Sequence, residues 1–194
     1  MSTIRTSCGL YIDLDDQIST LARLPISTIA HSLAQINRYT GHAARPNSVA
    51  EHSLLVAEIM ERDLGVTDPE ALLLGLLHDA HEIVTNDMSS LSKGYVLGWR
   101  PWEDEWQAAL HAVFGLRQAQ FEYAPTVKAA DLIARATEQR DLFPPPHERT
   151  AVPAATWTNL RSRDGMDWKD WRNAFIDRHD ELQYARNMQH HKAA

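Results

Sequence analysis

The stretch LLLGLLHDAHEIVTND, residues 72 to 87, constrains this chain most. Its first half has the composition of a core element. It then places His78, Asp79, His81, Glu82 and Asp87 within ten positions. On a helix, residues three and four apart share a face. Glu82 therefore neighbours both Asp79 and His78, and the element that enters the core carries these groups in with it. A buried charged group without a partner costs several kcal/mol. The fold must bring a compensating group to this cluster, and a divalent cation supplies the charge in the smallest volume.

The remaining chain is punctuated as helices. Ile29, Leu33 and Ile36 stand at helical spacing over 27–39, with Ser27 as N-cap and Arg38 at the end. TGHAARPN then reads as a loop. Ser48-Val49-Ala50-Glu51 matches a capping box, and its helix runs to about Leu64 before Gly65. Asp68-Pro69 opens the next helix, because proline suits the first helical position, and this one is expected to reach Thr85. A loop with one short turn follows over 86–98. Trp99, Trp102, Trp106, Ala109 and Val113 mark an amphipathic helix. Val127, Ala130, Ile133 and Ala134 mark another over 125–141. FPPPHERTAVPAA is excluded from regular structure by its prolines. The last helix spans about Asp167 to Met188. Its stripe of Trp168, Trp171, Phe175 and Leu182 is expected to dock on the core or on a partner subunit. In the N-terminal part only GLYIDL alternates, weakly, as a short strand.

The expected class is all-α. An irregular segment 1–26 precedes one compact helical domain over 27–142, followed by a proline-rich loop 143–166 and a C-terminal helix and tail 167–194. At 44% hydrophobic, the 194 residues can bury a real core. The net charge of -7 argues against a nucleic-acid surface and a DNA-binding regulator, but not against a small basic pocket. Cys8 is the only cysteine, which excludes a disulfide framework and a cysteine zinc site and fits a reducing cytoplasm. No apolar signal core opens the chain. The run ALLLGLL is too short to span a bilayer, so no membrane partner is expected.

A His-Asp pair alone is weak evidence of a site. His179-Asp180 serves as an internal control, because Arg178 and Glu181 flank it and mark a solvated helix face. His78-Asp79 instead follows five leucines. Two more ligands stand on other helices. His52 lies in SVAEHSLLVAEIM beside Leu55, Val56 and Ile59, and Asp131 lies in TVKAADLIARAT among small and apolar residues. Taken singly, His52 reads equally as a core histidine with a hydrogen-bonded ring. Asp131 reads equally as the partner of Lys128 or Arg135. Together with His78 and Asp79 they make a mixed nitrogen and oxygen set suited to Mn²⁺, Co²⁺, Fe²⁺, Ni²⁺ or Zn²⁺. An ion of that kind activates water for attack on phosphorus.

SVAEHS, LLHDAHEIVTND and VKAADLIA together resemble the motifs of the HD-domain metal phosphohydrolases across about residues 27–142. The likeness is to small bacterial and phage members, including 5′-deoxynucleotidases and phage dATP triphosphohydrolases. It implies that His52, His78, Asp79 and Asp131 hold the metal, and that Glu82 and Asp87 work beside it as catalytic acids. Glu82 would orient water or take its proton, and Asp87 would protonate the leaving oxygen or order the surrounding groups. It also implies that Arg38 contacts phosphate and that Tyr39 lies near the base, where the bacterial enzymes carry tryptophan. His42 and Arg45 in the same loop, and Lys93 six residues after Asp87, complete the expected substrate-binding set. His81 is expected beside the metal rather than on it.

The implied protein is a cytoplasmic homo-oligomer, dimer or larger, that takes a nucleotide. The first expectation is hydrolysis of (deoxy)nucleoside 5′-monophosphates to nucleoside and phosphate. The alternative is a dNTP triphosphohydrolase, for example dATP to deoxyadenosine and triphosphate. Both use one metal site, so the ligand set does not separate them. A rival from another class is a non-catalytic nucleotide-binding HD module, which would need neither Glu82 nor Asp87.

Overall fold

The computed structural model describes residues 2–145 and 151–193. Met1, Ala194 and residues 146–150 of the proline-rich loop lie outside them. The fold is all-α apart from a small antiparallel ribbon. In that ribbon β1 (Thr3–Arg5) pairs with β2 (Tyr11–Asp13), and Ile4 faces Ile12. β2 falls within GLYIDL, the stretch expected as a short strand, while β1 and a short helix α1 (Gln17–Leu21) occupy residues expected to be irregular.

The leucine run forms α4 (Pro69–Leu77), buried at every position except Glu70. A helix apolar all round belongs in a core, and α4 is the centre of this one. It packs against α3 (Val49–Arg62), α7 (Arg117–Leu142) and α8 (Trp168–Ala193). Each fully buried leucine contributes roughly 1.5–3 kcal/mol of transfer free energy. Asp68 caps the start of α4 through Glu70 N at 2.9 Å. Gly75 is the point of closest approach, where a Cβ would collide with Met60 Sδ of α3.

α4 stops at Leu77 rather than near Thr85. The His78 ring takes the Gly75 carbonyl at 2.8 Å, the acceptor that a continuing helix would offer to Asp79 N. Tight turns follow, with Ala80 N donating to Leu77 O and Glu82 N to Asp79 O, each at 3.0 Å. The chain then resumes as the single turn α5 (Glu82–Thr85). The histidine and carboxylates therefore sit on a bend at the end of a buried helix.

Other boundaries also shift. The helix α2 (Ile26–Leu33) has Pro25, not Ser27, at its N-cap, and it ends before Arg38. Arg38 instead opens a separate 3₁₀ turn, Arg38–Gly41. The tryptophan-marked helix is α6 (Trp99–Val113), and a further 3₁₀ turn spans Ser92–Tyr95. α7 begins at Arg117 and carries Pro125 inside, where the sequence suggested a boundary. The capping box of α3 is half formed. Ser48 Oγ accepts from Glu51 N at 3.1 Å, but the Glu51 carboxylate turns to Arg45. On α8, Trp171, Phe175 and Leu182 are buried against this chain's own core, and Trp168 is half-buried.

Candidate metal centre and active site

Three helices deliver the central groups. α3 brings His52, the end of α4 brings His78 and Asp79, and α7 brings Asp131. His52 is fully buried, and its Nδ1 lies 2.9 Å from Glu138 Oε1. Glu138 is ionised, so Nδ1 carries the proton of that bond. The proton on His78 Nδ1 is fixed likewise, because its partner at 2.8 Å is the Gly75 carbonyl, which can only accept. Both Nε2 atoms are buried and have no hydrogen-bond partner among the described residues. His52 Nε2 stands 3.4 Å from Asp131 Oδ1 and 3.6 Å from Asp79 Oδ2. His78 Nε2 stands 3.2 Å from the same Asp79 oxygen.

Ligand atoms of His52, His78 and Asp131 lie within 4.8 Å of one another. Two orphaned imidazole nitrogens converging with carboxylate oxygens fit a divalent transition ion, and these residues could hold one. The Nδ1 partners match the usual arrangement behind metal-bound histidines, which fixes the ring and raises its basicity.

The electrostatics follow from burial and charge. Burial pushes Asp79 up, but His78, His52 and Arg38 outweigh it and hold the carboxyl well below the usual range. Asp131 is also held low against burial, chiefly by its contact with His52. Burial and Arg38 press His52 down, yet Glu138 and Asp131 prevail and raise it to about 9. Glu138, fully buried, is lowered to about 2 because Arg38 and His52 outweigh its desolvation. Glu82 goes the other way. Burial, then Asp79 and Asp87, push it well above the usual carboxylate range. Its buried Oε2 has no hydrogen-bond partner among the described residues. Burial likewise raises Asp87, with Arg38 opposing and Asp79 adding.

A cavity of about 510 Å³ opens over the cluster, lined by Arg38, Tyr39, Asp79, Glu82, Asp87 and Lys93 among others. A smaller one of about 250 Å³ adjoins it, with His81, Glu103 and Gln107 in its wall, and Asp79, Lys93, Lys128 and Asp131 are common to both. A cavity of equal size, about 510 Å³, lies under the N-terminal hairpin but holds none of the cluster residues. Chemistry, not volume, selects the site.

Arg38 and Tyr39 reach the cavity through a strained turn. Tyr39 has φ 57° and Thr40 φ 53°, left-handed values that are uncommon outside glycine, and Gly41 continues at 78°. Such strain persists where the surroundings over-determine it. Arg38 Nε is 3.4 Å from Glu138 Oε2 and its Nη1 is 3.5 Å from Asp79 Oδ2. Tyr39 donates its hydroxyl to Glu138 Oε2 at 2.6 Å, so only its ring remains for a ligand. Lys93 lines the cavity but is tied to Glu103 Oε1 at 2.6 Å, and His81 Nε2 is 3.3 Å from the same oxygen.

Two of the expected residues do not join them. His42 is exposed and lines neither cavity over the cluster. Arg45 is spent on structure. It holds the buried Glu51 carboxylate with two bonds, of 2.7 and 2.8 Å, and reaches Asp164 at 2.9 Å. Here the charge met in the sequence serves a buried acid of the neighbouring helix. The control pair also differs from expectation. His179 is buried, not solvated, and packs edge-on against Phe114, with ring centroids 6.1 Å apart.

Sequence reasoning missed Glu138 and Glu103, and of the two cations it offered as partners of Asp131 it is Lys128 that pairs with it, at 2.6 Å. Glu138 had a readable signal, since it follows Asp131 by seven residues and so shares its helix face.

The chain is 31% identical over 147 residues to YfdR of Escherichia coli (strain K12), covering 73% of each chain. It is 35% identical over 146 residues to RCAP_rcc00048 of Rhodobacter capsulatus, covering 71% of each. The chain belongs to their family. Both members are described as uncharacterized proteins, so the family brings no activity with it. No family model matches the chain. Among the described residues, no helix is long and apolar enough to cross a membrane.

Proposed function

We propose that this protein is an HD-domain, metal-dependent phosphohydrolase of nucleotides. The observation that carries the reading is the pair of buried Nε2 atoms facing Asp79 and Asp131, beside the buried Glu82 Oε2 that has no hydrogen-bond partner among the described residues. A structural histidine pair would satisfy those nitrogens internally. A bound divalent ion supplies a Lewis acid for a phosphoryl oxygen and a source of nucleophilic water.

The chain's own groups then divide the work. Asp79 and Asp131 stay ionised at neutral pH and offer oxygen ligands. Glu82 has the raised proton affinity and the free oxygen of a general base, and it takes the proton from the attacking water. Asp87, raised as well, carries a proton to the leaving oxygen. Arg38, buried and always charged, offers its guanidinium to the phosphate. The Tyr39 ring offers a face for a base. A binding module needs no buried, proton-hungry Glu82, which favours the enzyme.

The test is a product screen over nucleoside mono-, di- and triphosphates with Mn²⁺, Co²⁺ and Zn²⁺. Phosphate or polyphosphate release that EDTA and His52→Ala both abolish is expected. Binding without turnover under every metal sinks the enzyme and leaves the binding module.

A further inference from the structure

One face of α6 meets the bend that carries His78 and Asp79, and the scheme above gives it no role. Glu103 and Gln107 stand one turn apart on α6 and so share that face. Both line the smaller cavity, of about 250 Å³, beside His78, Asp79 and His81. Glu103 and His81 are buried, at 8% and 5% exposure, and Gln107 is half-buried.

Gln107 and Glu103 take the two ends of the bend. α4 stops at Leu77, and the carbonyls at such an end lose their helical donors. Among the described residues no backbone N–H reaches the His78 carbonyl. Gln107 Nε2 donates to it instead, at 3.1 Å. That carbonyl belongs to the peptide joining His78 to Asp79, so the bond from Gln107 fixes the plane from which both candidate ligands project. At the far end Glu103 Oε1 stands 3.3 Å from His81 Nε2, two residues after Asp79. The same oxygen accepts from Lys93 Nζ at 2.6 Å, and this neighbouring cation lets a buried carboxylate stay ionised.

We infer that Gln107 and Glu103 are positioning residues of the candidate metal centre. They hold the bend 78–81 from outside, Gln107 through the 78–79 peptide and Glu103 through the His81 ring, so that His78 Nε2 and the Asp79 carboxylate keep the spacing an ion needs. A ligand set has to be held to within about 0.5 Å of its working geometry by neighbours of this kind. A chain that has left its helix lacks the regular hydrogen-bond ladder, so here that task falls to α6. The inference rests on the metal of the proposed function and not on its nucleotide.

The experiment measures Co²⁺ affinity by competition with a chelating dye, together with the visible absorption of the bound ion, which reports ligand geometry. Gln107→Met removes the donor and Glu103→Met the acceptor, and both keep a side chain of similar length. Each is expected to weaken Co²⁺ binding by about tenfold or more, the usual scale for groups behind metal ligands, and to alter the absorption. Glu103→Gln keeps an acceptor oxygen for His81 and is expected to restore most of the affinity. Glu105→Ala, on the exposed face of α6, is expected to leave both readings unchanged. Circular dichroism checks the helices of each variant, and Gln107→Ser replaces Gln107→Met if the latter does not fold. Native affinity and absorption in the Gln107 and Glu103→Met variants, or a loss that Glu105→Ala shares, overturns the inference while the metal reading stands. Glu103→Gln as weak as Glu103→Met removes Glu103 from it. If the native protein binds no Co²⁺, the metal reading falls and the inference with it.

Discussion

Glu138→Gln tests how the candidate metal centre is built. Glu138 is fully buried and meets three groups: His52 Nδ1 at 2.9 Å, the Tyr39 hydroxyl at 2.6 Å and Arg38 Nε at 3.4 Å. It supplies two of the influences that raise His52 to about 9. At pH 7 the metal-free ring is therefore two units below its pKa and carries a proton that a metal must displace. Apparent affinity is then ~100-fold below its value above pH 9 and climbs about tenfold per pH unit, with one proton released per ion. The amide keeps the shape and removes the charge, so His52 titrates lower and the slope between pH 7 and 9 flattens. Above pH 9, where that proton no longer competes, the variant binds about 10- to 100-fold more weakly, because the ring has lost the partner that orients it and raises its basicity. The assay is competition against a chelating dye from pH 7 to 9.5, with calorimetry in two buffers to count protons. A flat affinity profile in the native protein, or the same slope in the variant, refutes the reasoning.

The other predictions are simpler. Glu82→Gln should lower kcat by roughly 10² or more with metal content unchanged; lost metal would make Glu82 a ligand. His78→Ala should abolish bound metal and turnover while the protein stays helical, whereas the joint change of His179 and Asp180 to alanine should leave turnover, assayed on the folded fraction. The reverse outcome would mean the wrong dipeptide was chosen. Arg45→Met should cost about 3 kcal/mol in urea unfolding, because it leaves the buried Glu51 carboxylate alone, and should leave metal affinity unchanged; a shift in metal or nucleotide affinity instead would return Arg45 to the site. His111, buried on α6 and with no hydrogen-bond partner for Nε2 among the described residues, is lowered to about 4, chiefly by burial and then by His81 and His78. A depressed histidine gives stability that is full above pH 6.5 and fades as pH falls toward 4. Between pH 7 and 4.5 the metal-free native protein should therefore lose about 2 kcal/mol more than His111→Gln, and equal losses would show that His111 titrates normally.

The sequence by itself determined the class and the centre of the fold. A leucine run opened by Asp68-Pro69 can only be a buried helix, and periodicity located α3, α6, α7 and α8 with small errors in their ends. It also singled out His52, His78, Asp79 and Asp131, because titratable groups amid leucine and alanine need a partner wherever the chain goes. Local pattern has no access to what the tertiary structure decided. α4 ends at Leu77, where the Gly75 carbonyl is met by the His78 ring. Arg38, Arg45 and Lys93 look alike in sequence, as basic residues in or beside loops. Their roles diverge because each turns to the nearest buried acid, and those acids lie 6 to 100 residues away along the chain: Glu51 for Arg45 six positions on, Glu103 for Lys93 ten on, Glu138 for Arg38 a hundred on. Desolvation makes such pairings obligatory, and only the folded chain sets which partners are in reach.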